Sequence, residues 1–174
     1  MKTLGDMREE VYIFCLEKGW YDKPVRFSES MVLLHSEISE VLEAYRVWGM
    51  ADGTDIGLEA WNETLPKPEG VGSEMADILI RMLDDSKRWS ISMEQTVISP
   101  RVHKHFVDNL EIMHKLVCQI SDAYGGGDIS VYMSRLFVFL VSVCIQFGVD
   151  LTAEYERKMA YNRTRSYRHG DKVV

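Results

Sequence analysis

The stretch SEMADILIRML, residues 73–83, has the apolar content of a buried helix, yet it sets Glu74 and Asp77 on the inward stripe. The same tension recurs in LLHSEISEVLEAYR, residues 33–46, where Glu37 and Glu40 repeat the three-residue spacing. Residues three apart on a helix share a face, so each pair points one way. Leu33, Leu34, Val41 and Leu42 around one pair, and Ile78, Leu79, Met82 and Leu83 around the other, mark the packed sides. Two such helices set face to face bring four carboxylates into a partly dry site. Like charges that close do not all stay ionised without compensation. A hard divalent cation held by oxygen ligands is the economical compensation, Mg²⁺ first and Mn²⁺ as the alternative. The plainer explanation is that acids in a first helical turn favour its dipole. It accounts for Glu74 but leaves Glu37 and Glu40, in mid-helix between apolar neighbours, unexplained.

Outward from these segments, apolar residues recur at steps of three and four almost throughout, so the chain reads as all-α. Helices are expected over about 4–18 (Thr3 as N-cap, Gly19 as stop), 28–47, 73–89 (Ser73 as N-cap), 102–124, 130–147 and 150–162. SISMEQTVISP, 90–100, reads as a turn with a short helical piece, and the basic tail from 163 as irregular. Residues 49–72, rich in Gly, Pro and Asp, form a long loop of the kind that is often functional. The 174 residues suit one domain, 1–174.

Lys and Arg number 20 against 27 Asp and Glu, a formal net charge of −7. An acidic chain lacks the basic surface that displaces counterions along a nucleic-acid polymer. Small phosphorylated substrates remain compatible if a cation supplies positive charge. Cys15, Cys118 and Cys144 show no CxxC spacing and read as small buried thiols in a reducing compartment. The N-terminus is too charged for a signal peptide. LFVFLVSVCIQFGV, 136–149, has the length of a core helix and is short for a membrane span. These features predict a soluble, cytoplasmic protein without a membrane partner.

SEISEVLEAYR (36–46), KPEGVGSEMADILIRMLD (67–84) and KMAYNRTRSYRHG (158–170) together resemble the MazG-like branch of the all-alpha NTP pyrophosphohydrolases, over residues 27–90 and 148–170. The family pattern is EExxE followed by ExxD. Its members cleave a nucleoside triphosphate to the monophosphate and pyrophosphate with Mg²⁺. The resemblance implies a helical bundle of that type and an NTP or dNTP substrate. It makes Glu37, Glu40, Glu74 and Asp77 metal ligands, with Glu37 and Glu40 also catalytic. Ser36 stands where the family has its first acid, which removes that carboxylate's role; Glu43 is one turn further along. The tail matches the family's KxxxN and basic residues, so Lys158, Asn162, Arg165 and Arg168 are expected to bind phosphate oxygens. Neither Lys158 nor Arg165 falls on a clear core stripe. Trp20, Trp48 and Trp61 lie at loops or helix ends, and Trp20 is preferred for stacking on the base.

Residues 95–145 lie outside the family core. LLHSEISEVLEAY (33–45) aligns on IMHKLVCQISDAY (112–124), pairing His35 with His114, Glu37 with Leu116 and Glu40 with Gln119. Residues 78–93 align on 136–151 by apolar pattern, and extending that register sets Asp77 against Arg135. The expectation is a degenerate second half that keeps packing and loses ligands, as in the related dimeric dUTPases. It covers an apolar face that otherwise calls for a partner chain, a homodimer being the alternative. A catalytically silent nucleotide-binding or interaction protein is the competing function. A di-iron carboxylate bundle needs two ExxH motifs, and only Glu111–His114 is present.

Overall fold

The computed structural model describes residues 2–50 and 67–171. Seven helices follow in order: α1 (Leu4–Glu17), α2 (Phe27–Trp48), α3 (Val71–Arg88), α4 (Phe106–Ala123), α5 (Ile129–Phe147), α6 (Leu151–Thr164) and a short α7 (Arg168–Asp171). The described residues form an all-α bundle without a strand. Trp61 and most of the long loop, 51–66, lie outside them.

Local chemistry sets the helix ends. The Thr3 hydroxyl accepts from the Asp6 N–H at 3.1 Å and the Asp6 carboxylate accepts from the Thr3 N–H at 2.9 Å, a reciprocal cap on α1. Asp150 caps α6 through the Ala153 N–H, and Gly148 ends α5 at φ 75°, where a side chain would be strained. Ser73 is not the cap of α3. That helix starts at Val71 behind Gly70, and the Ser73 hydroxyl donates instead to the Pro68 carbonyl at 3.0 Å. α4 begins four residues later than its pattern suggests, because the Asn109 amide folds back to bond the backbone of His103 and His105. The expected helical piece in 90–100 is absent: the N–H groups of Ser92 and Gln95 are held by the hydroxyls of Ser130 and Ser134.

α3 is the central helix, packed against α1, α2, α5 and α6. Its Met75, Ile78, Met82 and Leu83 are fully enclosed, as are Leu34 and Ile38 of α2. α5 has 19 residues, long and apolar enough by composition to cross a membrane, unlike the shorter run read from sequence. Here Leu136, Phe139, Leu140 and Val143 seat it in the core against α3 and α4.

α2 pairs with α3, α4 pairs with α5, and the two pairs meet through α2–α4 and α3–α5 contacts. His35 and His114 stack with ring centroids 5.1 Å apart and Nδ1 atoms 2.8 Å apart. Under two-fold symmetry a residue near the axis meets its own counterpart, and these are the two residues that the internal alignment pairs. Cys118 is exposed rather than buried, with Sγ 4.0 Å from His35 Nε2, whereas Cys15 and Cys144 are buried.

Candidate metal centre

The centre lies where α2 and α3 face each other. Arg81 Nη2 donates to Glu37 Oε1 at 3.0 Å and Trp89 Nε1 donates to Ser30 Oγ at 3.2 Å. Moving back along α2 thus moves forward along α3, so the helices are antiparallel. Glu37, Glu74 and Asp77 each offer a carboxylate oxygen, and these atoms lie within 4.8 Å of one another. Glu40 is exposed at the rim, beside Ser36, whose hydroxyl approaches its Oε1 at 3.4 Å. The all-oxygen donor set fits a hard divalent cation such as Mg²⁺, which takes one or two carboxylates and keeps several waters.

Cations of the chain already face this cluster. The Lys158 Nζ lies 2.7 Å from Asp77 Oδ2, 3.6 Å from Glu74 Oε1 and 2.9 Å from Ser73 Oγ. Lys158 is only 3% exposed, so it is a core residue of α6 and not part of a solvated tail. Burial works to lower its ammonium, but Asp77 and Glu74 outweigh burial and its pKa is raised. Burial pushes Glu74 up to about 7 against the pull of Lys158, and Asp77 adds to the rise. Glu37 is raised by burial too, with Arg81 opposing. For Glu74 the folded chain keeps a proton that the unfolded chain releases near 4.5, so its term costs stability as pH rises from there toward 7. A bound cation opposes that loss.

A cleft of about 260 Å³ opens from the cluster. Glu37, Glu40 and Asp77 line it, as do the expected Asn162, Arg165, Arg168 and Trp20. Glu74 and Lys158 sit behind this wall, and Trp48 does not line it. Glu43 is exposed and paired with Arg46, so it does not stand in for the acid missing at Ser36. The tail is more ordered than its composition suggests. Lys18 Nζ donates to the carbonyls of Arg163 and Arg165, and the Arg168 N–H donates to the Lys18 carbonyl at 3.0 Å. Tyr167 lies against Gly19 so closely that a Cβ there would collide with its ring. Arg168 and His169 adopt φ of 46° and 49°, and the Arg168 guanidinium sits 5.7 Å over the Trp20 ring.

Sequence reasoning missed the far end of this cleft. Arg81, Asp84, Asp85 and Arg88 of α3 line it with Ser30 of α2. Asp84 accepts from Tyr21 at 2.9 Å and from Arg88 at 3.2 Å. Two acids near a helix C-terminus oppose its dipole, and that anomaly was the available signal. Comparison with known proteins adds no assignment: no family model matches the chain, and neither a curated protein nor a solved structure matches it.

Proposed function

We propose that the chain is a Mg²⁺-dependent nucleotide pyrophosphohydrolase that cleaves an NTP or dNTP to the monophosphate and pyrophosphate. The observation that carries this reading is the convergence of Glu37 and Asp77 in the wall of a cleft, with Glu74 just behind them, while Asn162, Arg165 and Arg168 line the same cleft. The MazG-like pattern in the same residues supports it. Glu37, Glu74 and Asp77 would hold the ion, with Glu40 at the rim; when bound it would supply positive charge toward the phosphates and acidify water. Glu40, open to solvent, accepts a hydrogen bond from the attacking water and orients it. Arg165 and Arg168 take phosphate oxygens through their guanidinium forks, and Asn162 adds an amide donor. Asn162 is buried and its Oδ1 accepts no hydrogen bond, so that oxygen is open to a donor such as a water or a substrate hydroxyl.

Pyrophosphate release over a panel of standard and modified NTPs and dNTPs tests the reading. The expected result is release with Mg²⁺ and none with chelator. Nucleotide binding without turnover would instead favour the silent-protein reading, which Ser36 and the Lys158 ion pair both support. Arg165→Ala is expected to lower kcat/KM by about 10- to 100-fold, the worth of a charge-assisted hydrogen bond. Arg165 is half-buried and off the core, so the unfolding temperature should hold.

A further inference from the structure

The far end of the cleft contains a group that the hydrolysis does not use. Asp85 is fully buried, and neither of its oxygens has a hydrogen bond of acceptable geometry. Folded proteins seldom leave a carboxylate in that state. Its neighbours do not relieve it. Arg88 and Tyr21 are committed to Asp84, and the Arg88 guanidinium lies 3.9 Å over the Tyr21 ring. The Arg81 guanidinium serves Glu37. Burial and then the charge of Asp84 oppose the charged form of Asp85, and they outweigh the Arg81 charge, the Ser30 hydroxyl and the Arg88 charge, which favour it. What is missing at Asp85 is an N–H donor, and Asp85 lines the cleft.

The spacing says which part of a nucleotide reaches it. From Asp77 to Asp85 is eight residues of α3, about 12 Å of helix, and from Glu37 back to Ser30 is seven residues of α2, about 10 Å. Both helices therefore set this end one nucleoside length from the carboxylate cluster, where the base of a bound nucleotide lies. Trp20, Val25 and Leu33 give the same end apolar walls suited to a flat ring.

We propose that Asp85 is the base-selecting residue of this cleft and that it favours nucleotides whose base carries an exocyclic amino group over uracil and thymine. This rests on the nucleotide reading above. Where the exocyclic group is what reaches Asp85, an amino group supplies the donor that the ionised carboxylate lacks. The carbonyl that uracil and thymine carry in place of that amino group presents an acceptor to the ionised carboxylate and leaves it without that bond. Discrimination by a buried polar group left unpaired is strong. The internal alignment offers a comparison within the chain. Continued along the helix, it sets Val143 against Asp85, and Val143 is fully buried, so a hydrocarbon serves the packing role at that position.

The test pairs two measurements on wild type, Asp85→Asn and Asp85→Leu. Binding of dCMP, dAMP, dGMP, dUMP and dTMP is followed by calorimetry, and pyrophosphate release by turnover of the matching triphosphates. The expected result is tighter wild-type binding of the three amino-bearing monophosphates by tenfold or more, with that margin lost in both variants. Both variants should fold, since each removes a buried charge, and thermal unfolding verifies it. Equal binding of all five by the wild type overturns the proposal. So does a margin that survives in both variants. Pyrophosphate release without base preference sinks Asp85 alone and leaves the hydrolase reading standing. Base-selective binding without release does the reverse.

Discussion

Lys158→Met is expected to destabilise the fold by about 3–5 kcal/mol in chelator, the cost of removing one partner from a buried ion pair. For a chain of this size that is a fall of on the order of 10 °C in unfolding temperature. The substitution keeps the length of the side chain and takes away the one charge that meets both Asp77 and Glu74. This revises the expectation from sequence, in which Lys158 lay off any clear core stripe and served phosphate binding, so that its loss left the fold intact. The deficit should follow pH. A lysine with a raised folded pKa contributes fully below 10.5 and loses that contribution only as pH climbs through the folded value. The wild-type advantage therefore persists across neutral pH. It should shrink toward pH 5, where protons take over the neutralisation of Glu74, whose carboxyl sits at about 7. Millimolar Mg²⁺ should recover part of the loss by occupying the freed carboxylates. Thermal unfolding at three pH values, with and without Mg²⁺, measures all of this. A variant as stable as wild type in chelator would show that the pair contributes nothing to the fold.

Asp77→Asn is expected to lower pyrophosphate release by roughly a thousandfold, because a metal acting on a phosphoryl oxygen is worth several kcal/mol and each 1.4 kcal/mol is tenfold in rate. The amide preserves shape and still accepts from Lys158, so the fold should survive. On the proposed function it also removes a metal ligand, so Mg²⁺ should raise the unfolding temperature of wild type and not of the variant. Glu43→Gln is the matched control: an acid of α2 that is exposed, paired with Arg46 and not among the residues that line the cleft. Its activity should be unchanged. Full activity in Asp77→Asn would remove Asp77 from the reaction and leave Lys158 as its sole purpose.

Helix periodicity made the all-α fold legible, and acids on apolar stripes made the cluster legible, because both are local patterns of three- and four-residue spacing. The placement of Lys158 was not legible. Around it, RKMAYNR offers as many polar as apolar residues, and only the docking of α6 against α3 makes its position a core one. Asp84 and Asp85 escaped for a related reason. DDSKR reads as the soluble end of a helix, and the fact that it is enclosed depends on α1 and its following loop closing over it through Tyr21 and Trp20. Start positions for α3 and α4 erred where a side chain chose a different bond. Ser73 turned to Pro68, and Asn109 reached back six residues to His103. Such choices depend on neighbours that a one-dimensional pattern does not contain.

The fastening of Lys18, Gly19 and Trp20 to the segment 163–169 ties the first helix to the last turns of the chain. Arg165 and Arg168 reach the cleft only while that clasp is shut, since their backbone is held by the Lys18 side chain and carbonyl and by Tyr167 against Gly19. Fraying of α1 and release of the basic wall are therefore a single opening event. On the proposed function, a grip on phosphate would be as durable as the local stability of the first helix, and a ligand that engages Arg165 and Arg168 should raise the protection of amides some 150 residues away in sequence.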